Sequence, residues 1–235
     1  MSEEMNLDYL EGVAGQGFEQ MGGGDINTPM LLIAQQLSEV TQGGAVPAGH
    51  FYNSLTGEDL GTELEVVPCQ FQKAWIEWKP NNGGFVARHM PGSIQVSGDN
   101  YVGMTTAEGN IVVEAYIYLV AVASRPDLGI MLFQSTPGNM RYLKSWNTQM
   151  RYLRLPSGKP APMFAGIWSL SINADTNKKG NKYYSLNKEG KSSARFVKWV
   201  DKELMTTVVL PARDVSMLAI EAPEAADTPL IEEKF

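Results

Sequence analysis

Ile111-Val112-Val113-Glu114-Ala115-Tyr116-Ile117-Tyr118-Leu119-Val120-Ala121-Val122-Ala123 is the stretch on which the fold turns. Its Val, Ile and Tyr side chains are β-branched or aromatic, which favours extended chain over helix. Apolar residues dominate throughout, so the strand is expected to be largely buried. Upstream, Leu64-Glu65-Val66-Val67-Pro68-Cys69-Gln70-Phe71 begins a second strand that is expected to run to Trp78. Pro68 lacks a backbone N–H and so marks an edge or a bulge in it. Further strands are expected at Ile94–Ser97 and Gly129–Gln134.

Other elements follow outward from this core. Thr28-Pro29 reads as an N-cap with Pro at the first helical position, leading a short buried helix over Met30–Leu37 that stops at Gly43-Gly44. His50-Phe51-Tyr52-Asn53-Ser54 precedes a turn at Thr56-Gly57-Glu58. Ser135-Thr136-Pro137 starts another helix. In it Leu143, Trp146, Met150 and Leu153 recur at spacings of three, four and three, forming one apolar stripe with Trp146 in the core. Lys144, Arg151 and Arg154 lie off that stripe and are expected to be exposed. Phe164–Ala174 and Lys182–Asn187 form a hairpin around the turn 175–181, with Trp168, Leu170 and Ile172 alternating toward the core. Phe196, Val197 and Val200 place a helix over Ser192–Leu204, and Thr206–Leu210 is a short final strand.

Strands here neither alternate regularly with helices nor follow a nucleotide-binding glycine fingerprint, which excludes a doubly wound parallel sheet. The expected class is mainly β with helices (α+β). Its plan is an OB-fold-like five-stranded barrel with an inserted helix and extra N-terminal elements. Residues 1–27 form a flexible, acidic, Gly-rich N-terminus, 28–220 the OB-like domain and 221–235 an acidic tail.

The chain has 235 residues, 43% of them hydrophobic and 19% charged, with a formal net charge of −7. No apolar run approaches the ~20 residues of a membrane helix. The N-terminal segment has neither the basic nor the apolar region of a secretory signal. A single cysteine, Cys69, rules out an internal disulfide, and within its strand it reads as a small buried hydrophobe. His50 and His89 have no acid or nucleophile at an informative spacing and read as surface loop residues. No Walker loop, nucleophile elbow or metal-binding motif is present, so neither a catalytic residue nor a metal nor a cofactor is assigned, and the chain reads as non-enzymatic.

The charge is unevenly placed. Residues 1–70 carry 11 acids and no Lys or Arg, while residues 139–204 carry 13 basic residues against 4 acids, a net of +9. Such asymmetry speaks to partners more directly than the sum does. The basic residues interleave with aromatics at Phe71–Lys79, Arg141–Trp146, Arg151–Arg154, Lys178–Tyr184 and Arg195–Trp199. Single-stranded nucleic acid is held by cations on its phosphates and by aromatic faces on its unpaired bases. The expected contacts are Lys73, Trp75, Lys79, Arg141, Lys144, Arg151, Arg154, Lys178, Lys179, Lys182, Tyr183 and Tyr184. Phe71, Lys73, Trp75 and Glu77 share one strand face and Gln72, Ala74, Ile76 and Trp78 the other, so Trp75 is the binder and Trp78 the core residue. Tyr183 and Tyr184 point to opposite faces, so only one of them can stack on a ligand. The Lys178–Lys182 turn is the best backbone clamp, with a merely solvated turn as its alternative. Glu232, Glu233 and Phe235 form a tail that could compete for the basic groove or dock a partner, the alternative being simple solubilisation.

With these residues on the page, the chain resembles bacteriophage single-stranded DNA-binding proteins of OB-fold type. The resemblance rests on Thr28-Pro29 with Gln35-Gln36-Leu37-Ser38, on Ala48–Glu58, on Val67-Pro68 through Trp75-Ile76-Glu77-Trp78, and on the Ser135–Trp146 helix start. The acidic tail ending in Phe235 is similar to tails by which such binders recruit phage or host replication proteins, although it lacks their dense Asp run. The resemblance implies a protein that binds and protects single-stranded DNA during phage replication or recombination in the host cytoplasm. The alternative from another class is a virion structural or assembly protein.

Overall fold

The structure is a computed structural model that describes residues 28–80, 84–99, 103–135, 139–176, 180, 182–186 and 194–213. At its centre β4 (Glu63–Trp78) and β7 (Ile111–Val122) pair antiparallel along nearly their whole length, from Val66↔Val122 to Trp78↔Ile111. The register slips between Pro68 and Gln70, where the proline has no N–H for the ladder. This bulge shifts the alternation by one. Leu64 and Val66 therefore lie on the same face as Phe71, Lys73, Trp75 and Glu77, while Val67 and Cys69 lie with Ala74 and Ile76.

Around this pair, β9 (Gly166–Thr176) joins the first part of β4 and β5 (Phe85–His89) joins its end. β6 (Met104–Thr105) and β8 (Ile130–Gln134) line the outer side of β7. β10 (Lys182–Leu186) and β11 (Ala194–Trp199) follow one another along β9. A second, small sheet comprises β1 (Leu31–Ile33), β2 (Phe51–Asn53) and β3 (Asp59–Gly61).

Both faces of the large sheet are covered. Helix α2 (Met140–Tyr152; a shorter α1 spans Glu39–Gln42) packs Leu143, Trp146 and Met150 on Tyr118, Val120, Phe133 and Trp168. The Trp146 ring stacks on Tyr118 at 5.0 Å, and the Tyr118 hydroxyl donates to Asn147 Oδ1 at 2.9 Å. Burying such side chains contributes about 1.5–3 kcal/mol each. On the other face, three consecutive helical pieces (Lys202–Leu204, Met205–Val209 and Leu210–Arg213) lay Leu204, Val209 and Ala212 over Val67, Cys69, Ile76 and Ile117. Asp201 caps their start, its carboxylate accepting from Leu204 N at 2.8 Å.

The architecture is mainly β with few helices, in the α+β class. Among the described residues neither sheet closes on itself, so the strand pairing does not supply the expected five-stranded barrel. Segment 29–35 instead touches both borders of the large sheet. Pro29 O accepts from Leu132 N at 2.8 Å, and the Gln35 amide exchanges two 2.9 Å hydrogen bonds with the Tyr184 backbone.

Four local expectations are corrected. Met30–Leu37 is not a helix, because Leu31–Ile33 pairs with Phe51–Asn53 and Met30 bridges Leu132. A short apolar run carries no intrinsic choice between helix and strand. Ile94–Ser97 contributes only a bridge from Ser97 to Thr105. At the C-terminal end the two assignments exchange: Ala194–Trp199 is a strand on β9, whereas Met205–Val209 is helical and lies across a sheet face. The expected helix start at Ser135-Thr136-Pro137 falls partly outside the described residues, and α2 begins after Asn139. The 1–27 and 221–235 boundaries lie outside them as well. Among the described residues no helix is long and apolar enough to cross a membrane.

Candidate nucleic-acid interface

The expected contacts fall into three places. Lys73 and Trp75 stand on the end of β4, on the face shared with Phe71; Lys73 Nζ lies 5.8 Å from the Tyr116 ring centre. Acids surround this wing. Trp75 is in register with Glu114 on one side and His89 on the other, and Glu77 follows on the same face. The Glu77 carboxylate accepts from Asn110 Nδ2 and bonds His89 Nε2, each at 2.7 Å. Those contacts, the Asn110 hydrogen bond foremost, hold its pKa below the usual carboxylate range against the opposing effect of burial. Lys79 is exposed just beyond the strand, its amide donating to Gly84 O. The wing is thus a mixed-charge surface.

Both histidines, expected to be surface loop residues, have an acid partner, and only His50 lies in a loop. His89 belongs to β5 and pairs with Glu77, while His50 Nδ1 lies 2.9 Å from Asp59. Neither acid is recognisable from spacing, because strand pairing rather than helical periodicity brings them together. Cys69 is buried as expected, and burial pushes its thiol pKa up to about 12.

The second place is α2. Its inner stripe is locked into the core, and its outer side presents Arg141, Lys144 and Arg151, all exposed. Their spacings of three and seven put them along one side of the helix. Arg154 follows directly and folds back on the helix end, its Nη1 donating to Arg151 O at 3.0 Å and Leu153 O at 3.1 Å. Cations at this end complement the helix dipole. The loop after it is pinned by Leu155 N to Lys159 O at 2.9 Å and Ala161 N to Leu153 O at 3.0 Å, which keeps exposed Lys159 beside the helix end.

The third place is the β9–β10 hairpin. Lys182 opens β10 and is exposed. The Tyr183 hydroxyl donates to Asp175 at 3.1 Å, whereas Tyr184 packs on Gly49, where a Cβ would come within 2.6 Å of its ring. The Tyr184 ring is therefore occupied within the fold, and Tyr183 is the one on the α2 side. The Tyr142 hydroxyl, and at longer range Tyr183 and Asp175, push the Arg141 pKa up against the effect of burial. Leu186 N donates to Asn139 Oδ1 at 3.0 Å, tying the hairpin to the start of α2. Lys178, Lys179, Glu232, Glu233 and Phe235 lie outside the described residues.

The structure thus joins α2 to the hairpin through Asn139, while Tyr118, which packs on both Phe71 and Trp146, links α2 to the β4 wing, where Glu114 stands in register with Trp75. Tyr152 and Lys159, which do not figure among the expected contacts, are exposed at and just beyond the end of α2. One signal could have found them: residues 128–174 contain no Asp or Glu, yet carry Arg141, Lys144, Arg151, Arg154 and Lys159.

No curated protein and no solved structure matches the chain. Residues 3–204 match the family model described as Pam3 phage gp34-like protein, which takes in the central sheet, α2 and the hairpin. The chain therefore belongs to the Pam3 phage gp34-like family of bacteriophage proteins.

Proposed function

We propose that the protein binds single-stranded DNA along the outer side of α2, and so covers exposed strands during phage DNA replication or recombination in the host cytoplasm. The supporting observation is the exposed basic set Lys144, Arg151, Arg154 and Lys159, drawn from a stretch (128–174) that holds no Asp or Glu in sequence, with Arg141 at the hairpin end. A polyanion is the complementary ligand, since each neutralised phosphate releases condensed counterions. The helix is a rigid platform, since Leu143, Trp146 and Met150 of its inner stripe are buried. An OB-type barrel is not required by this reading, because the surface lies on a helix rather than in a barrel groove. On the β4 wing, by contrast, Trp75 has Glu114 in register with it.

The deciding experiment is titration of a labelled oligothymidine with the full chain at low and moderate salt. Saturable binding that weakens as salt rises is expected. Absence of binding at low salt, or binding indifferent to salt, removes the proposal. Recovery of the protein in purified virions without DNA affinity would favour the structural alternative.

A further inference from the structure

We infer that Tyr152 is a base-stacking residue, so that the α2 surface reads unpaired bases as well as phosphates; this rests on the proposed binding of single-stranded DNA at that surface. Among the exposed aromatic side chains of the described residues, Tyr152 stands out at 70% exposure, against 37% for Phe71 and 36% for Trp199. Phe71 is engaged edge-on by Tyr116 at 5.3 Å, and Trp199 by Phe196 at 5.1 Å. Both therefore belong to the fold's own aromatic packing. Tyr152 takes part in none of these ring contacts.

Its surroundings select the ligand. Arg151 precedes it, the Arg154 guanidinium is folded against the same helix end, and Lys159 is held beside them by the Leu155–Lys159 turn. A guanidinium has five donors, so Arg154 retains several after its contacts with the Arg151 and Leu153 carbonyls. An exposed ring at a helix end that also carries exposed Arg151 and Arg154, in a sequence stretch with no acid between residues 128 and 174, matches a nucleotide with its base on the ring and its phosphates on the cations. A duplex keeps its bases stacked on each other and offers only phosphates, so the ring favours single strands. Every base has a π-face, and stacking of this kind carries no sequence preference.

The test compares the native protein, Tyr152→Ala and Tyr152→Phe on two strands of equal length: oligothymidine and an abasic phosphodiester. Tyr152→Ala is expected to weaken oligothymidine binding by about 5- to 150-fold, the range that stacking of one base corresponds to. Abasic binding should be unchanged, and Tyr152→Phe should behave as the native protein on both. On the native protein, a strand carrying 5-iodouracil should photo-crosslink to the peptide containing Tyr152. Equal losses on the two strands, or an unaffected Tyr152→Ala with the crosslink elsewhere, would overturn the stacking role while leaving phosphate binding intact. Native protein that binds neither strand at low salt would instead overturn the underlying proposal.

Discussion

Neutralising two cations of α2 should change the salt dependence of DNA binding by a calculable amount. Four exposed cations lie on the outer side and at the end of the helix, in a stretch (128–174) whose sequence holds no Asp or Glu: Lys144, Arg151, Arg154 and Lys159. Arg141 is set apart because its guanidinium already donates to the Tyr142 hydroxyl and feels Asp175. Each phosphate neutralised on a single strand contributes about 0.7 to the slope of log K against log salt. Four contacts give a slope of about −2.8, so raising salt from 50 to 200 mM should weaken native binding by about 50-fold. In the Lys144→Gln, Arg151→Gln double variant two contacts remain, the slope falls to about −1.4, and the same change of salt costs about sevenfold. Lys144 and Arg151 are about 10.5 Å apart along the helix and both exposed, so the variant should melt as the native protein does. Fluorescence anisotropy of a labelled oligothymidine across that salt series supplies the slopes. An unchanged slope in the double variant would refute the reasoning even if affinity fell, because the loss would then not be phosphate contact at α2.

Three further outcomes test the fold that positions this helix. Gly49→Ala places a Cβ at φ +86° and 2.6 Å from the Tyr184 ring, which the Gln35 amide holds by its backbone. Overpacking of this sort costs about 1–3 kcal/mol and should lower the melting temperature by several degrees, whereas an unaltered melt would disprove the close approach. Cys69, with its thiol pushed up to about 12, should resist a thiol reagent at pH 8 until denaturant unfolds the chain; reaction at the rate of a free thiol would contradict its burial. The Glu77 carboxylate, lowered by Asn110 and His89, contributes stability that is present above the unfolded carboxylate value of about 4.3 and is lost as pH falls through the lower folded value. Denaturant midpoints should therefore drop less between pH 5 and pH 3 in Glu77→Gln than in the native protein, and parallel losses would sink the assignment.

The strands and the main helix were legible because their local pattern and their tertiary role agree. Ile111–Val122 is β-prone in composition and lies in the sheet centre; Leu143, Trp146 and Met150 recur at helical spacing and lie on one face against it. Pro68 was readable as an edge or a bulge because a missing N–H is a property of the residue itself, and the register slip beside it makes it a bulge. Met30–Leu37 and the stretch after Ser192 were misread because a short apolar run suits either state, and distant partners decided: Phe51–Asn53 for one, Gly166–Leu170 for the other. The β-branched Met205–Val209 is helical because it covers a sheet face, where packing outweighs propensity.

For the interface the division is similar. The amino-acid sequence by itself determined that positive charge concentrates between residues 139 and 204, interleaved with aromatic side chains, and that Arg151 and Lys144 lie off the apolar stripe of a helix. Which of the basic and aromatic residues remain available was decided only in three dimensions. Strand pairing sets Trp75 between Glu114 and His89, Tyr184 is spent against Gly49, and Trp146 is buried under Tyr118. Tyr152 is left in solvent at the end of α2, the helix end on which the Arg154 guanidinium folds back. Sequence spacing reports neighbours along one element, whereas the electrostatic surroundings of a side chain come from every element packed around it.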